Sequence, residues 1–233
     1  CYTPHGPTLS TAEHAVALIF AAAKTVAFAD RDMRAGRWHS QFITLKGMEL
    51  RDRTLGLVGL GRIASHVAQI MQAVGMHVTT FDPMLPPERA VQLGIRRIDR
   101  LEDLLAESDI VSLHAPSTPE TRHLINAQRL AAMKPGSILI NTARGALVDE
   151  LALAEALRSG HLSAAGLDVF EREPIDSDNP LLKLENVVLT DHIASHTWTG
   201  HHRLYEMAVH HLLQALHGER PDCMLNDVPL RKV

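Results

Sequence analysis

Thr54-Leu55-Gly56-Leu57-Val58-Gly59-Leu60-Gly61-Arg62-Ile63-Ala64 places a Gly-x-Gly-x-x-Ala turn directly behind a short apolar run and directly ahead of an amphipathic one. Leu55–Val58 has the length and composition of a buried strand, and Ile63–Val74 repeats its apolar residues at helical spacing. Gly59 permits the tight turn, Gly61 lets the backbone approach a pyrophosphate, and the small Ala64 keeps the helix close to the strand. The pyrophosphate would rest on the positive end of that helix. Small residues are common at strand–helix turns, so the motif takes its weight from its flanks and from Asp82. Asp82 ends the next apolar run, Thr79-Thr80-Phe81-Asp82-Pro83. It lies about 20 residues past the glycines, where a carboxylate takes the adenosine ribose hydroxyls and repels a 2′-phosphate. The expected dinucleotide is therefore NAD. An aspartate before proline also serves as a turn or cap residue, and Arg96 and Arg97 lie further on.

The alternation continues through the chain. His77–Phe81, Ile110–Leu113, Ser137–Ile140, Ala164–Leu167 and Val187–Leu189 read as strands, with a weaker one near Ile95–Ile98. Leu101–Ala106, Ala127–Met133 and Glu150–Arg158 read as helices, with Gly75 and Gly160 at C-cap positions and Asp149 at an N-cap. Strand–helix–strand alternation predicts an α/β fold, a doubly wound parallel sheet of Rossmann type. Upstream, Cys1–Leu9 reads as a loop and Ser10-Thr11-Ala12-Glu13 as a capping box. One helix then runs to about Met33, apolar nearly all round from Ala15 to Phe28, the pattern of a buried element. Arg34–Arg53 keeps no period and reads as an extended arm carrying Trp38, Phe42, Ile43, Leu45 and Met48. Leu204–Leu216 reads as a closing amphipathic helix. The expected division is 1–53 for the entering helix and arm, 54–197 for the nucleotide-binding domain, and 198–233 for the last helix and tail.

Composition excludes several classes of function. Of 233 residues, 45% are apolar and 21% charged, the balance of a chain with a real core. A net charge of −4 and a pI near 6.4 argue against nucleic acid or an anionic membrane as partner. No apolar run approaches the ~20 residues of a membrane span, and Ala15–Ala23 lacks the flanks of a signal peptide. Cys1 and Cys223 form no ligand pair, and a reducing cytoplasm is the expected compartment. His201-His202 and His210-His211 read as a solvated helix face, so no metal is expected.

Polar residues collect at the C-terminal ends of the later strands, the ligand-binding edge of an open parallel sheet. They are His114-Ala115-Pro116-Ser117-Thr118-Pro119-Glu120-Thr121, Asn141-Thr142-Ala143-Arg144-Gly145, Gly166-Leu167-Asp168-Val169-Phe170-Glu171-Arg172-Glu173-Pro174 and Leu189-Thr190-Asp191-His192-Ile193-Ala194-Ser195. Arg, Glu and His at adjacent strand ends suit an acid–base site beside a nicotinamide. With these motifs in this order, and with Ala12-Glu13-His14 and Gly36-Arg37-Trp38 upstream, the chain resembles the D-isomer-specific 2-hydroxyacid dehydrogenase family almost end to end.

The resemblance implies an NAD-dependent enzyme that interconverts a 2-oxoacid and its D-2-hydroxyacid. It implies that Arg144 clamps the substrate carboxylate and polarises the 2-oxo group, that His192 is the acid–base group, and that Glu173 holds the other imidazole nitrogen and favours the imidazolium. It also implies that Arg62 and Ile63 line the pyrophosphate and that Asp168 holds the nicotinamide carboxamide, with Ala115, Pro116, Thr121, Thr142 and Ala143 around that half of the cofactor. Two features depart from the pattern. Asp191 stands where the family has proline, and is expected to face solvent. The flavodoxin-like substrate domain of the family precedes the point where this sequence begins, so the terminal helices read as remnants of that second domain. Substrate identity is set mostly by that other wall. His196, one turn past His192, is expected at the pocket edge or as a helix cap. The resemblance further implies a homodimer in which helix and arm wrap a partner. It leaves one alternative function, an NAD(H)-sensing, corepressor-like binding protein of the same family.

Overall fold

The computed structural model describes residues 2–3, 5–38 and 46–226. Seven strands form one wholly parallel sheet: β1 Thr54–Val58, β2 His77–Phe81, β3 Arg96–Arg97, β4 Ile110–Leu113, β5 Ser137–Asn141, β6 Leu162–Leu167 and β7 Val187–Leu189. Their order is β3-β2-β1-β4-β5-β6-β7. The sheet thus grows one way from β1 through β2 and the other way through β4. At that switch point the loops leaving β1 and β4 part and open a crevice at their carboxyl ends. Helices cover both faces, which is why the strands read as continuous apolar runs rather than alternating ones. α1 (Thr8–Ala23) and α3 (Arg62–Val74) pack one core with Leu55, Leu57, Ile138 and Ile140. α5 (Leu101–Glu107), α6 (Ala127–Ala132) and α7 (Glu150–Arg158) pack the other with Val58, Val111, Leu139 and Leu167.

Local signals held where backbone chemistry dictates them. Gly75 ends α3 at φ 97°, and the Asp149 side chain accepts the Ala152 N–H to start α7. Several expectations change near the termini. The first helix begins at Thr8 rather than after Ser10, so the expected capping box lies inside it. Ser10 is buried and its hydroxyl meets Thr197 Oγ1 at 2.7 Å. The single helix to Met33 is two, α1 and α2 (Val26–Arg34), bent by 65° at Lys24–Thr25. Thr25 takes φ 54°, a left-handed backbone offset in part by its hydroxyl bond to Lys24 O at 2.7 Å. No single helix is long and apolar enough to cross a membrane among the described residues. Tertiary partners override the all-apolar reading of α1, for Ala12, Ala15, Leu18 and Ile19 face the core while Leu9 and Phe20 are exposed.

The closing helix, α8 (Trp198–Leu216), starts six residues before the expected point because the Thr197 hydroxyl caps Gly200 N–H at 2.9 Å. Its amphipathic reading inverts. His211 is 5% exposed, while Leu212, Leu213 and Leu216 are exposed. The four-histidine face is therefore not wholly solvated. Among the described residues, no cluster of three or more His, Cys, Asp or Glu is placed to hold a metal ion. In the arm, Trp38 is exposed and Met48 packs on the core; Phe42, Ile43 and Leu45 lie outside the described residues. The weak strand near Ile95–Ile98 shrinks to Arg96–Arg97, and a short helix, α4 (Pro87–Gln92), precedes it unannounced.

Candidate active site

The glycine turn separates two reasons for having no side chain. Gly59 sits at φ 93°, and a Cβ there would stand 3.0 Å from His114 O, so the fold itself requires glycine. Gly61 takes an ordinary φ of −77°, and a Cβ there would meet nothing within 4 Å. The protein leaves that space open at the start of α3, whose N-terminal amides have no side-chain cap. Unpaired amides around an open cradle fit a pyrophosphate. The carboxylate of Asp82 sits beside this turn, accepting Leu60 N–H at 2.9 Å and Met84 N–H at 3.0 Å. Each carboxylate oxygen retains a lone pair for a ribose hydroxyl. The nearby arginines are otherwise engaged: Arg96 donates to Glu107 at 2.6 Å and Arg97 to Leu85 O at 3.0 Å.

The crevice deepens into a cavity of about 690 Å³. Arg62, Ile63, Ala115, Pro116, Thr142, Ala143, Arg144, Asp168 and His192 all line it, so the chain folds these expected residues onto one wall. Thr142 Oγ1 is buried without a hydrogen-bond partner among the described residues, an orphan donor at a residue expected beside the nicotinamide, and a cofactor there would satisfy it. Thr121 is not in that wall. Its hydroxyl accepts Thr118 N–H at 2.8 Å and donates to Pro116 O at 2.7 Å, which closes the loop behind Pro116. A second cavity, about 440 Å³, lies at the opposite end of the sheet beside α2 and contains none of the expected site residues.

His192 and Glu173 form a hydrogen-bonded pair, with His192 at the cavity. His192 Nδ1 and Glu173 Oε2 are 2.7 Å apart, and Glu173 Oε1 accepts Phe170 N–H at 3.0 Å. Partial burial would push the Glu173 carboxyl up, but the bonds from His192 and Phe170 outweigh it and hold the carboxyl below its ordinary value. A charged Glu173 accepts from Nδ1–H, which leaves Nε2 as the nitrogen available to a ligand. His192 takes φ 58°, a left-handed conformation costing about 1–2 kcal/mol for a residue with a Cβ. Asp168 holds that turn in place. It is fully buried, and accepts Thr190 Oγ1 at 2.6 Å, Ile193 N–H at 2.9 Å and Ala194 N–H at 3.0 Å. Burial raises its carboxyl, yet these bonds and the His14 imidazole bring it down to about 2. Asp168 thus positions the His192 turn, and Oδ2 keeps capacity for the carboxamide expected of it.

Arg144 is exposed on the cavity wall, and among the described residues its guanidinium bonds only Ala143 O, from Nη1 at 2.6 Å. The rest of the guanidinium fork is available to an anion. Asp191 is exposed, as expected. His196 neither lines the cavity nor caps α8; it is exposed and lies edge-on to His201 at 5.1 Å. Sequence reasoning quoted two histidines without giving either a role. His14, on α1, donates from Nε2 to Thr190 Oγ1 at 3.0 Å and stands 3.4 Å from Asp168 Oδ1. His114 lines the cavity, bonds Ser112 Oγ at 2.9 Å, and is pushed down to about 4 by burial, so it is neutral near pH 7. A histidine inside an apolar helix and one at a strand end carry no signal of this until the sheet brings them together.

The description "D-isomer specific 2-hydroxyacid dehydrogenase, NAD binding domain" matches residues 16–194. A D-3-phosphoglycerate dehydrogenase of Archaeoglobus fulgidus is 48% identical over 83% of this chain and 36% of its own length. A glyoxylate reductase of Korarchaeum cryptofilum is 44% identical over 96% of this chain and 68% of its own. A solved protein of Thermus thermophilus superposes with TM-score 0.90 at 45% identity, covering 97% of this chain and 70% of the other. These likenesses lend no support to a corepressor-like sensor. The chain spans little more than a third of the length of the phosphoglycerate dehydrogenases it matches.

Proposed function

Because this chain belongs to the D-isomer-specific 2-hydroxyacid dehydrogenases, as their NAD-binding domain, we propose that the protein carrying it interconverts a 2-oxoacid and its D-2-hydroxyacid through Arg144, Glu173 and His192. The observation that carries this reading is the His192–Glu173 pair at 2.7 Å, with His192 lining the same cavity as the open fork of Arg144. Bound NAD(H) supplies or accepts the hydride. Arg144 takes the substrate carboxylate in two-point contact, which only a planar fork can do. His192 Nε2 gives a proton to the 2-oxo oxygen in reduction and takes it back in oxidation. Glu173 holds Nδ1 and so fixes both the tautomer and the plane of the ring. Gly61, Arg62 and Ile63 receive the pyrophosphate, Asp82 the ribose, and Asp168 the carboxamide. We further propose a homodimer built through the arm; the exposure of Trp38 where the chain leaves α2 supports it.

NADH oxidation by the full-length gene product with glyoxylate, hydroxypyruvate, pyruvate and phosphohydroxypyruvate tests the reading. Substrate-stimulated loss of absorbance is expected with at least one of them. Tight NADH binding with no turnover on any would overturn it.

Asp82→Ser should weaken NADH binding ten- to a hundred-fold, since a two-point charged contact is worth about 1.5–3 kcal/mol. The same change relaxes the exclusion of NADPH, and titration of both cofactors checks it. A parent that prefers NADPH would show the ribose assignment to be wrong. Glu173→Gln addresses the proton. Reduction needs the imidazolium, so its kcat/KM falls as pH rises. The Glu173 carboxyl lies below its ordinary value and is charged throughout that range, favouring the cation. With glutamine that support is gone, and the alkaline limb should move to lower pH. An identical profile for parent and variant would remove Glu173 from the proton transfer.

A further inference from the structure

Arg144 and Glu173 sit on different loops, yet the chemistry requires them in fixed mutual register. Their loops are tied together in two ways, one direct and one through His123 and Glu150. The first is backbone on backbone: a Cβ on Gly145 would stand 1.9 Å from Phe170 C and O, so the turn after Arg144 lies directly on the peptide that leads to Glu173. The second is Glu171, which the proposed chemistry does not use. Its Oε2 accepts from His123 Nε2 at 2.7 Å. Its Oε1 accepts Glu150 N–H at 3.2 Å, while its own N–H donates to Glu150 Oε1 at 2.6 Å. Glu150, 8% exposed, is braced in turn by Asn179 Nδ2 on Oε2 at 2.6 Å. His123 completes the loop of contacts. Its N–H donates to Ala146 O at 2.8 Å, inside the 3-10 turn Gly145–Leu147 that follows Arg144, and it holds φ 48° to do so. A left-handed histidine persists only where its surroundings over-determine it.

We propose that Glu171, gripped by His123 and Glu150, is a positioning residue that locks the Arg144 turn and the Glu173 loop together, and so sets the spacing between carboxylate clamp and proton-transfer dyad. The proposal rests on the roles given above to Arg144, Glu173 and His192. An exposed ion pair alone would contribute little. Here the carboxylate accepts from a backbone amide and an imidazole while its own amide returns a bond to Glu150, and such charge-assisted, reciprocal bonds fix geometry. A single residue, Arg172, separates this anchor from Glu173, so slack at Glu171 passes to the His192 contact with little chain to absorb it.

The test uses the full-length protein with Glu171→Ala, Glu171→Gln and His123→Asn, the last chosen because asparagine tolerates the left-handed backbone. Glu171→Ala should lower kcat/KM for the 2-oxoacid by about 10- to 100-fold, the scale of an ångström-sized misplacement. It should move the alkaline limb to lower pH and leave NADH affinity, read by fluorescence, within about two-fold, because the adenosine contacts lie on other loops. Glu171→Gln keeps an acceptor for Glu150 N–H and should recover most of the rate; His123→Asn should follow Glu171→Ala with a smaller loss. The Nδ1 proton of His192 in labelled protein, identified by its disappearance in His192→Asn, gives a readout independent of turnover: present in the parent and Glu171→Gln, broadened or lost in Glu171→Ala. If Glu171→Ala does not fold, His123→Asn carries the same readouts. A parental rate, limb and Nδ1 resonance in Glu171→Ala would overturn the proposal, as would parallel loss of NADH affinity, rate and Tm. If the parent turns over no 2-oxoacid, the functional reading fails separately, and the His192 resonance still decides whether Glu171 positions the dyad.

Discussion

Replacing His192 by asparagine should lower kcat/KM for 2-oxoacid reduction by about 10²- to 10⁴-fold, the usual range for a positioned acid–base group, with NADH affinity little changed. Asparagine is the informative substitution. Residue 192 sits at φ 58°, and asparagine adopts that region more readily than other residues with a Cβ, so backbone strain does not enter the comparison. The bonds that shape the turn come from Asp168 to the amides of Ile193 and Ala194, and these do not involve the 192 side chain. What is lost is the ring that reaches from Glu173 into the cavity. Steady-state rates across pH, with NADH titrated on the same preparation, check this. A variant within tenfold of the parent would place the proton donor elsewhere, and the neutral, cavity-lining His114 would be the first residue to test in its stead.

Arg144→Met should have an effect of similar size by a different route. Two charge-assisted bonds to a carboxylate, each worth about 1.5–3 kcal/mol, correspond to a loss of about 10²- to 10⁴-fold in kcat/KM. Arg144→Lys should recover only part of it, because an ammonium makes one contact where the guanidinium fork makes two. Among the described residues the side chain has only the Ala143 carbonyl as partner, so neither variant breaks an ion pair there, and Tm should stay close to that of the parent. Initial rates with the best 2-oxoacid and a thermal melt of each variant are the measurements. Equal rates for Arg144→Met and the parent would remove the clamp.

Legibility in the sequence followed how local each cause is. The turn Gly59–Gly61, the strands other than the weak one near Ile95–Ile98, and the caps at Gly75 and Asp149 depend on conformational limits of a few adjacent residues, and they stand where the residues imply. The candidate site was legible by position, since a parallel sheet sends every strand's carboxyl end to one edge. Thr121 shows the limit of that inference. It follows the right strand, yet its hydroxyl is spent closing its own loop. His14 shows the opposite case, a residue 154 positions before Asp168 that reaches it across the sheet.

The sequence by itself determined the Rossmann-type architecture and the edge of the sheet where polar strand ends collect, for which short-range sterics and strand–helix periodicity are sufficient. Arg144, Glu173 and His192 were singled out by the resemblance to a known family, which periodicity does not supply. Only the tertiary structure decided which glycine serves the fold and which the ligand, that Asp168 braces the left-handed turn at His192, that α1 and α2 are two helices, and that α8 buries His211 and exposes its leucines. Each of those outcomes depends on atoms far apart in the chain meeting at hydrogen-bond or van der Waals distance. Periodicity along one segment contains no record of what packs against it.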